Sequence, residues 1–255
     1  MAPPSAFELK AGPSWRSVDI ISDLHLQDSE PATFEAWRRF MAAAGADAVI
    51  ILGDLFEAWP GDDVLQSPGF LAECAGVLRS ASEKRAVFFM HGNRDFLVGE
   101  AFAQSTGVRL LPDPAVLEFG THRWLLSHSD ALCLGDTEYL QFRAQVRDPA
   151  WQRELLARPL AERQALARSL RARSEDRKRS GASYADVDSE EARAWLNAAG
   201  ATTLVHGHTH RPGEHDLGGG LRRIVLTDWD LQAHPPRAQA LRLSLDGGAR
   251  RIPLA

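Results

Sequence analysis

Seven side chains of metal-ligating type stand at short, regular spacings along the chain. Asp23 and His25 are two residues apart, and His208 and His210 repeat that spacing. In an extended backbone, residues i and i+2 share a face, so each pair can reach one ion. Asp54 follows an apolar run directly, and its two oxygens could bridge two ions. Asn93 offers a neutral carbonyl oxygen, and His128 adds a further imidazole. Oxygen and imidazole donors without thiolate suit Mn, Fe or Zn and argue against a structural zinc site. Two such ions, about 3.5–4 Å apart, share a water, make it hydroxide near neutral pH, and hold phosphate oxygens for in-line attack. The chemistry indicated is metal-dependent phosphoester hydrolysis. Taken singly, each of the seven reads as an ordinary polar residue.

The elements around them explain how such distant residues could meet. Short apolar runs at 17–22 (SVDIIS), 47–52 (DAVIIL), 85–90 (RAVFFM), 123–127 (RWLLS) and 202–205 (TTLV) each lead into a ligand segment. Runs this short and this rich in Val, Ile, Leu and Phe read as buried strands. Helical patterns at 31–44 and 69–82 separate the early ones. That alternation predicts an α/β fold, a layered sandwich of sheets with helices on their faces. Ligands of open α/β sheets gather beyond the carboxyl ends of the strands, which is where the seven fall. Glycines flank three ligand segments (Gly53, Gly92 and Gly207), where a tight turn or close approach favours them. Strands at 222–227, 240–245 and 250–254, with a hairpin turn at Asp246-Gly247-Gly248, predict a closing antiparallel section.

Residues 138–198 break the rhythm with helical pattern and no strand signal, and read as an inserted helical cap on a core formed by 15–137 and 199–255. Within it, residues 141–179 hold eleven Arg or Lys against five Asp or Glu, a net charge of +6 in a chain of net −5. Leu155, Leu156, Leu160, Leu166 and Leu170 give this basic stretch an apolar stripe. A solvated helical face is the plainer reading. Residues 1–14, with three prolines, read as a loose tail. The overall negative charge does not suggest a nucleic-acid partner. Cys74 and Cys133 form no Cys-x-x-Cys pair, which fits a reducing compartment. No apolar stretch of signal-peptide or membrane-spanning length is present, so a cytosolic chain able to rest on a membrane surface is expected.

The ordered blocks Asp23-Leu24-His25, Gly53-Asp54, Gly92-Asn93-Arg94-Asp95, His128 and Gly207-His208-Thr209-His210 resemble the calcineurin-like metallophosphoesterases. The stretches SDLHL, ILGDLFEAWPGDD, HGNRDFL and HGHTHRP, with DALC and YLQFR after His128, resemble the branch of that family acting on an acylated UDP-sugar, UDP-2,3-diacylglucosamine. The resemblance spans about residues 17–229 and implies a metallophosphoesterase-type sandwich with two Mn²⁺ ions per chain, Fe or Zn being alternatives. It implies one ion on Asp23, His25, Asp54 and His210 and the other on Asp54, Asn93, His128 and His208. It gives catalytic roles to Asp54, Arg94, His128 and His208, and substrate contacts to Asn93, Arg94, Asp136, His208, Ser174 and Lys178. Lys178 stands where the branch has Asn, and no residue aligns clearly with the branch's following Lys. Many relatives place His after the Asn. Arg94 cannot readily give up a proton but clamps phosphate oxygens bidentately, which suits a diphosphate whose leaving group is a phosphate monoester. The implied peripheral site of action is the cytoplasmic face of the inner membrane, with the basic insertion meeting anionic lipid.

Other residues invite weaker readings. His91 and His206 adjoin ligand segments and could support them, whereas His122, His215 and His234 read as packing or surface residues. Asp95 is expected to orient a neighbouring ligand or Arg94. Asp62 and Asp63 could line the site or form a polar loop, and Trp59, Phe96 and Cys133 read as packing. A soluble nucleotide diphosphate or phosphodiester is the alternative substrate, and a non-catalytic scaffold the alternative class.

Overall fold

Both faces of most apolar runs are covered, because the strands stack as two sheets with helices outside. The computed structural model describes residues 3–179 and 185–254, with 173–179 described by backbone alone. The strands are β1 (Phe7–Lys10), β2 (Ser17–Ile21), β3 (Ala48–Leu52), β4 (Ala86–Met90), β5 (Arg109–Leu111), β6 (Ala115–Phe119), β7 (His122–Ser127), β8 (Thr203–His206), β9 (Gly213–Gly218), β10 (Leu221–Val225), β11 (Gln239–Ser244) and β12 (Ala249–Pro253). The helices are α1 (Pro31–Ala43), α2 (Phe70–Ser82), α3 (Glu100–Thr106), α4 (Thr137–Val146), α5 (Pro149–Leu156), α6 (Leu160–Arg179) and α7 (Ser189–Ala199).

One sheet runs β1-β6-β7-β8-β10-β9 and the other β12-β11-β2-β3-β4-β5. Alternate residues of each strand face opposite ways. Val18, Ile20, Ala48, Ile50 and Phe88 meet Leu117, Trp124, Leu126, Val205 and Ile224 between the sheets. Ile21, Val49, Ile51, Val87 and Phe89 face outward against Trp37 and Phe40 of α1, Cys74 and Leu78 of α2, and Phe102 of α3. Val116, Leu125 and Leu204 pack on α7. The result is a four-layer α/β sandwich.

β2, β3 and β4 are mutually parallel, as are β7 and β8. The closing section is antiparallel along β2-β11-β12, whereas β10 pairs parallel with β8 and antiparallel with β9.

Two expectations need correction. The N-terminal stretch is not wholly loose: β1 pairs parallel with β6 at the sheet edge, from Phe7 opposite Ala115 to Lys10 opposite Glu118. Backbone pairing, more than apolar content, holds this edge strand. The insertion boundary also takes in one helix too many. Ala192, Trp195, Leu196 and Ala199 of α7 are buried against the sheet. Asp188 caps α7, its side chain accepting from Glu191 N–H, and so begins a core helix.

α4 to α6 dock elsewhere. Leu155 is buried in the cluster on the helical face of β2–β4, with Trp151 and Leu166 packed against it. Arg163 of α6 is almost fully buried, donates to Pro60 O at 2.5 Å, and pairs with Asp63.

Candidate active site

The left-handed backbone region disfavours side chains, yet Asp23, His25, Asp54, His208 and His210 all occupy it, with φ between 49° and 68°. Strain of this kind, about 1–3 kcal/mol each, collects where surrounding structure imposes it for function. Each of these residues follows a strand end. β2 leads to Asp23 and His25, β3 to Asp54, β4 to Asn93, β7 to His128, and β8 to His208 and His210. Parallel pairing puts these ends on one rim, so the structure brings all seven expected residues together.

The distances define two adjoining clusters. In the first, His25 Nε2 lies 3.3 Å from His210 Nε2, and His210 Nε2 lies 3.4 Å from Asp23 Oδ1. In the second, Asn93 Oδ1 lies 2.9 Å from His128 Nε2 and 2.8 Å from His208 Nδ1. Asp54 stands between them, with Oδ2 at 3.9 Å from His25 Nε2 and Oδ1 at 3.7 Å from His128 Nε2. Asp23, His25 and His210, and likewise Asp23, Asp54 and His128, present donor atoms within 4.8 Å of one another. Separations of this order are those of atoms sharing an ion with bonds of about 2.0–2.2 Å. Two imidazole nitrogens facing each other satisfy both lone pairs only by sharing a proton or a cation. The donor set and its spacing therefore fit two divalent ions.

Supporting contacts fix the donors. Asp23 accepts from Ser22 Oγ at 2.5 Å and from His208 N–H at 3.0 Å. His128 Nδ1 lies 2.9 Å from Leu52 O, which places its proton there and leaves Nε2 facing the site. Asp54 Oδ1 accepts from Arg94 N–H at 2.9 Å. His210 Nδ1 lies 3.7 Å from Asp228 Oδ2. Glycine is required by close approach: a Cβ on Gly92 would fall 2.0 Å from Asp54 Oδ1, and one on Gly207 would fall 2.3 Å from Asp23 Oδ2.

Charge follows the same pattern. Burial alone would raise Asp23, but His210, His128 and His25 hold it well below the usual carboxylate range. Burial opposes a charged His128, yet Asp54, Asp23 and Asp130 raise it to about 9. His208 is pushed down to about 4 by burial and by His128. Burial lowers His25, but Glu57, Asp54 and Asp23 outweigh it and raise the imidazole.

Arg94 projects beside Glu57, with NH1 3.4 Å from Oε1. The other expected contacts are less uniform. Asp136 caps α4 and accepts from Tyr139 N–H at 3.1 Å. Ser174 and Lys178 lie on α6, where side chains fall outside those described. The Tyr139 ring lies 5.7 Å from that of His208. Asp95 accepts backbone N–H bonds around Asp54, as a ligand-orienting residue would. Asp62 instead accepts from Trp59 Nε1 and the amides of Gly99 and Phe102, and Asp63 pairs with Arg163. His91 binds Val98 O, and His206 adjoins Gly207 O and Arg223. Cys133 is buried, its thiol pushed up to about 12 by burial and nearby carboxylates, which suits packing.

Glu57, Asp130 and Asp228 escaped sequence reasoning as individual residues. Asp130 is fully buried and accepts from Tyr139 Oη at 2.6 Å and Arg143 Nε at 2.9 Å, tying α4 to the rim. No periodicity marks such carboxylates, since their partners lie on other elements.

The Calcineurin-like phosphoesterase family model matches residues 16–212. A UDP-2,3-diacylglucosamine hydrolase of Chromobacterium violaceum is 45% identical, covering 93% of this chain and 99% of its own. Another from Xanthomonas axonopodis pv. citri is 45% identical, over 90% of this chain and 96% of its own. A third, from Bordetella pertussis, is 42% identical, over 92% and 93%.

Proposed function

Because the chain belongs to the calcineurin-like phosphoesterase family, we propose that it hydrolyses the diphosphate bond of UDP-2,3-diacylglucosamine, releasing UMP and 2,3-diacylglucosamine 1-phosphate in lipid A biosynthesis. The observation that carries this reading is the full double cluster of donors with Arg94, in place of a proton donor, beside Asn93. The names of relatives 45% identical over nearly their whole length support it.

Asp23, His25, Asp54 and His210 would hold one divalent ion, and Asp54, Asn93, His128 and His208 the other, with Mn²⁺ as the proposed metal. Such ions supply Lewis acidity and a water of lowered pKa. The chain's own groups do the rest. Arg94 presents planar N–H donors that clamp phosphate oxygens. Asn93 and His208 lie where they can touch the same phosphate. Either product would leave as a phosphate monoester and need little protonation, so an arginine serves where a histidine would otherwise act as acid.

α4 to α6 form the proposed cap. Leu155, Trp151 and Leu166 anchor it, and its basic residues face the job of meeting an anionic lipid surface. Asp136, Ser174 and Lys178 are its proposed substrate contacts. Among the described residues no helix is long and apolar enough to cross a membrane, so contact with the cytoplasmic face of the inner membrane would be peripheral.

The test is product analysis after incubation with UDP-2,3-diacylglucosamine and manganese in labelled water. UMP and the sugar 1-phosphate are expected, with label in only one of them. Equal or faster hydrolysis of the deacylated UDP-sugar would favour a soluble substrate instead.

A further inference from the structure

Three basic side chains converge on Glu57, a residue with no role in the scheme above. Its position is held by two strand-end loops: its N–H donates to Leu26 O at 3.2 Å, and Leu26 and Phe56 form an isolated bridge. Its side chain is only 13% exposed. Oε2 lies 3.1 Å from His25 Nδ1. Oε1 lies 3.4 Å from Arg94 NH1 and 3.4 Å from Arg171 Nε of α6.

Each contact has a physical consequence. A carboxylate behind an imidazole selects the tautomer protonated on the near nitrogen and leaves the far one free to bind a cation. Here the far nitrogen is His25 Nε2, which faces His210 and Asp54. The His25 Nδ1 contact is an ion-pair approach at 3.1 Å without hydrogen-bond alignment. A guanidinium anchored by one carboxylate oxygen loses less freedom when its remaining N–H groups take a phosphate. A carboxylate lying between Arg94 and Arg171 also offsets their mutual repulsion.

We propose that Glu57 is a positioning residue that aims His25 at the metal, aims Arg94 at the substrate phosphate, and ties α6 of the insertion to both. The Arg94 part rests on the diphosphate reading above; the His25 part does not.

The experiment compares Glu57→Gln, Glu57→Asp and Arg171→Gln with the wild-type chain. Manganese affinity is measured on the substrate-free protein by electron paramagnetic resonance, and kcat and KM on UDP-2,3-diacylglucosamine. Glu57→Gln is expected to weaken one of two bound Mn²⁺ ions by about 10–100-fold and to raise KM. Glu57→Asp, which keeps the charge, should recover part of both. Arg171→Gln should raise KM with manganese affinity unchanged. Wild-type manganese affinity in Glu57→Gln overturns the proposal. So does equal loss in Glu57→Asp and Glu57→Gln tracking a fall in melting temperature, which would mark a structural role. Should Glu57→Gln fail to fold, Glu57→Asp against Arg171→Gln decides by the same readouts. If the wild type binds manganese but leaves the acylated substrate intact, the substrate reading fails while the metal arm still judges Glu57.

Discussion

Asp95 holds the Asp54 loop from behind, although 41 residues separate them. Its carboxylate accepts from the N–H groups of Asp54 (3.3 Å), Leu55 (2.8 Å), Phe56 (3.3 Å) and Gly92 (2.8 Å). One buried side chain thus sets the backbone on which both Asp54 and Asn93 sit. Asp95→Ala should destabilise the fold by about 2–4 kcal/mol, because several buried N–H donors lose their acceptor at once. Asp95→Asn keeps one acceptor oxygen and should cost less. Denaturant unfolding of the two variants checks the order.

Manganese binding should release a proton. In the metal-free protein His128 is raised to about 9, mainly by Asp54, Asp23 and Asp130 against the opposing effect of burial. It must be neutral to act as a ligand. Affinity should therefore rise with pH, up to about tenfold per unit below pH 9. Calorimetry in buffers of different ionisation enthalpy should find at least about one proton released at pH 7, from His128 and, because it too is raised, in part from His25. The linkage to folding has the opposite sense. A histidine raised in the folded state adds stability below its ordinary value, and that stability fades as pH climbs from about 6.5 towards 9. Manganese affinity independent of pH between about 6 and 8 would contradict the assignment.

Gly207→Ala should separate folding from function. Its Cβ would meet Asp23 Oδ2 and Ser22 Oγ, each at 2.3 Å, so Asp23 must move. Displacements of this size cost about a hundredfold in rate, with circular dichroism expected to stay native. Gly76→Ala is the contrasting change. Gly76 lies inside α2 with nothing near its Cβ position, so alanine should stabilise by about 0.5–1 kcal/mol without affecting the rate.

Asp186 and Arg223 should give an acid limb to stability. Arg223 is buried and bonds Asp186 bidentately at 2.8 and 2.9 Å, and with burial opposing, that pairing lowers Asp186 to about 2. A depressed carboxyl contributes above its ordinary value, and the contribution is lost as pH falls from about 4 through 2. About 1–2 kcal/mol is expected after solvent screening of the partly exposed carboxylate. Melting temperature against pH should show a shallower acid limb in Asp186→Asn than in the wild type.

The seven donors were legible because each is local: a ligand one to five residues beyond an apolar run needs no knowledge of its partners. The first two helices were legible for the same reason. α1 and α2 end within a residue of the expected spans, since apolar periodicity and the proline at the start of α1 are local signals. The edge strands β1, β5 and β9 were not, although β12 was. β9 reads GEHDLG, and only its pairing with β10 makes it a strand. α7 shares helical pattern with the insertion, and only burial against Val116, Leu125 and Leu204 assigns it to the core.

Sequence by itself determined which donor-type residues to look for, because residue type and motif order survive without coordinates. Tertiary structure decided how they are held. Strand order put five strand ends on one rim, and the close approach of Gly92 to Asp54 explained a glycine that local turn chemistry alone had only permitted. Whether a carboxylate such as Glu57 faces solvent or stands between His25, Arg94 and Arg171 depends on segments distant in the chain, and no local pattern encodes that choice.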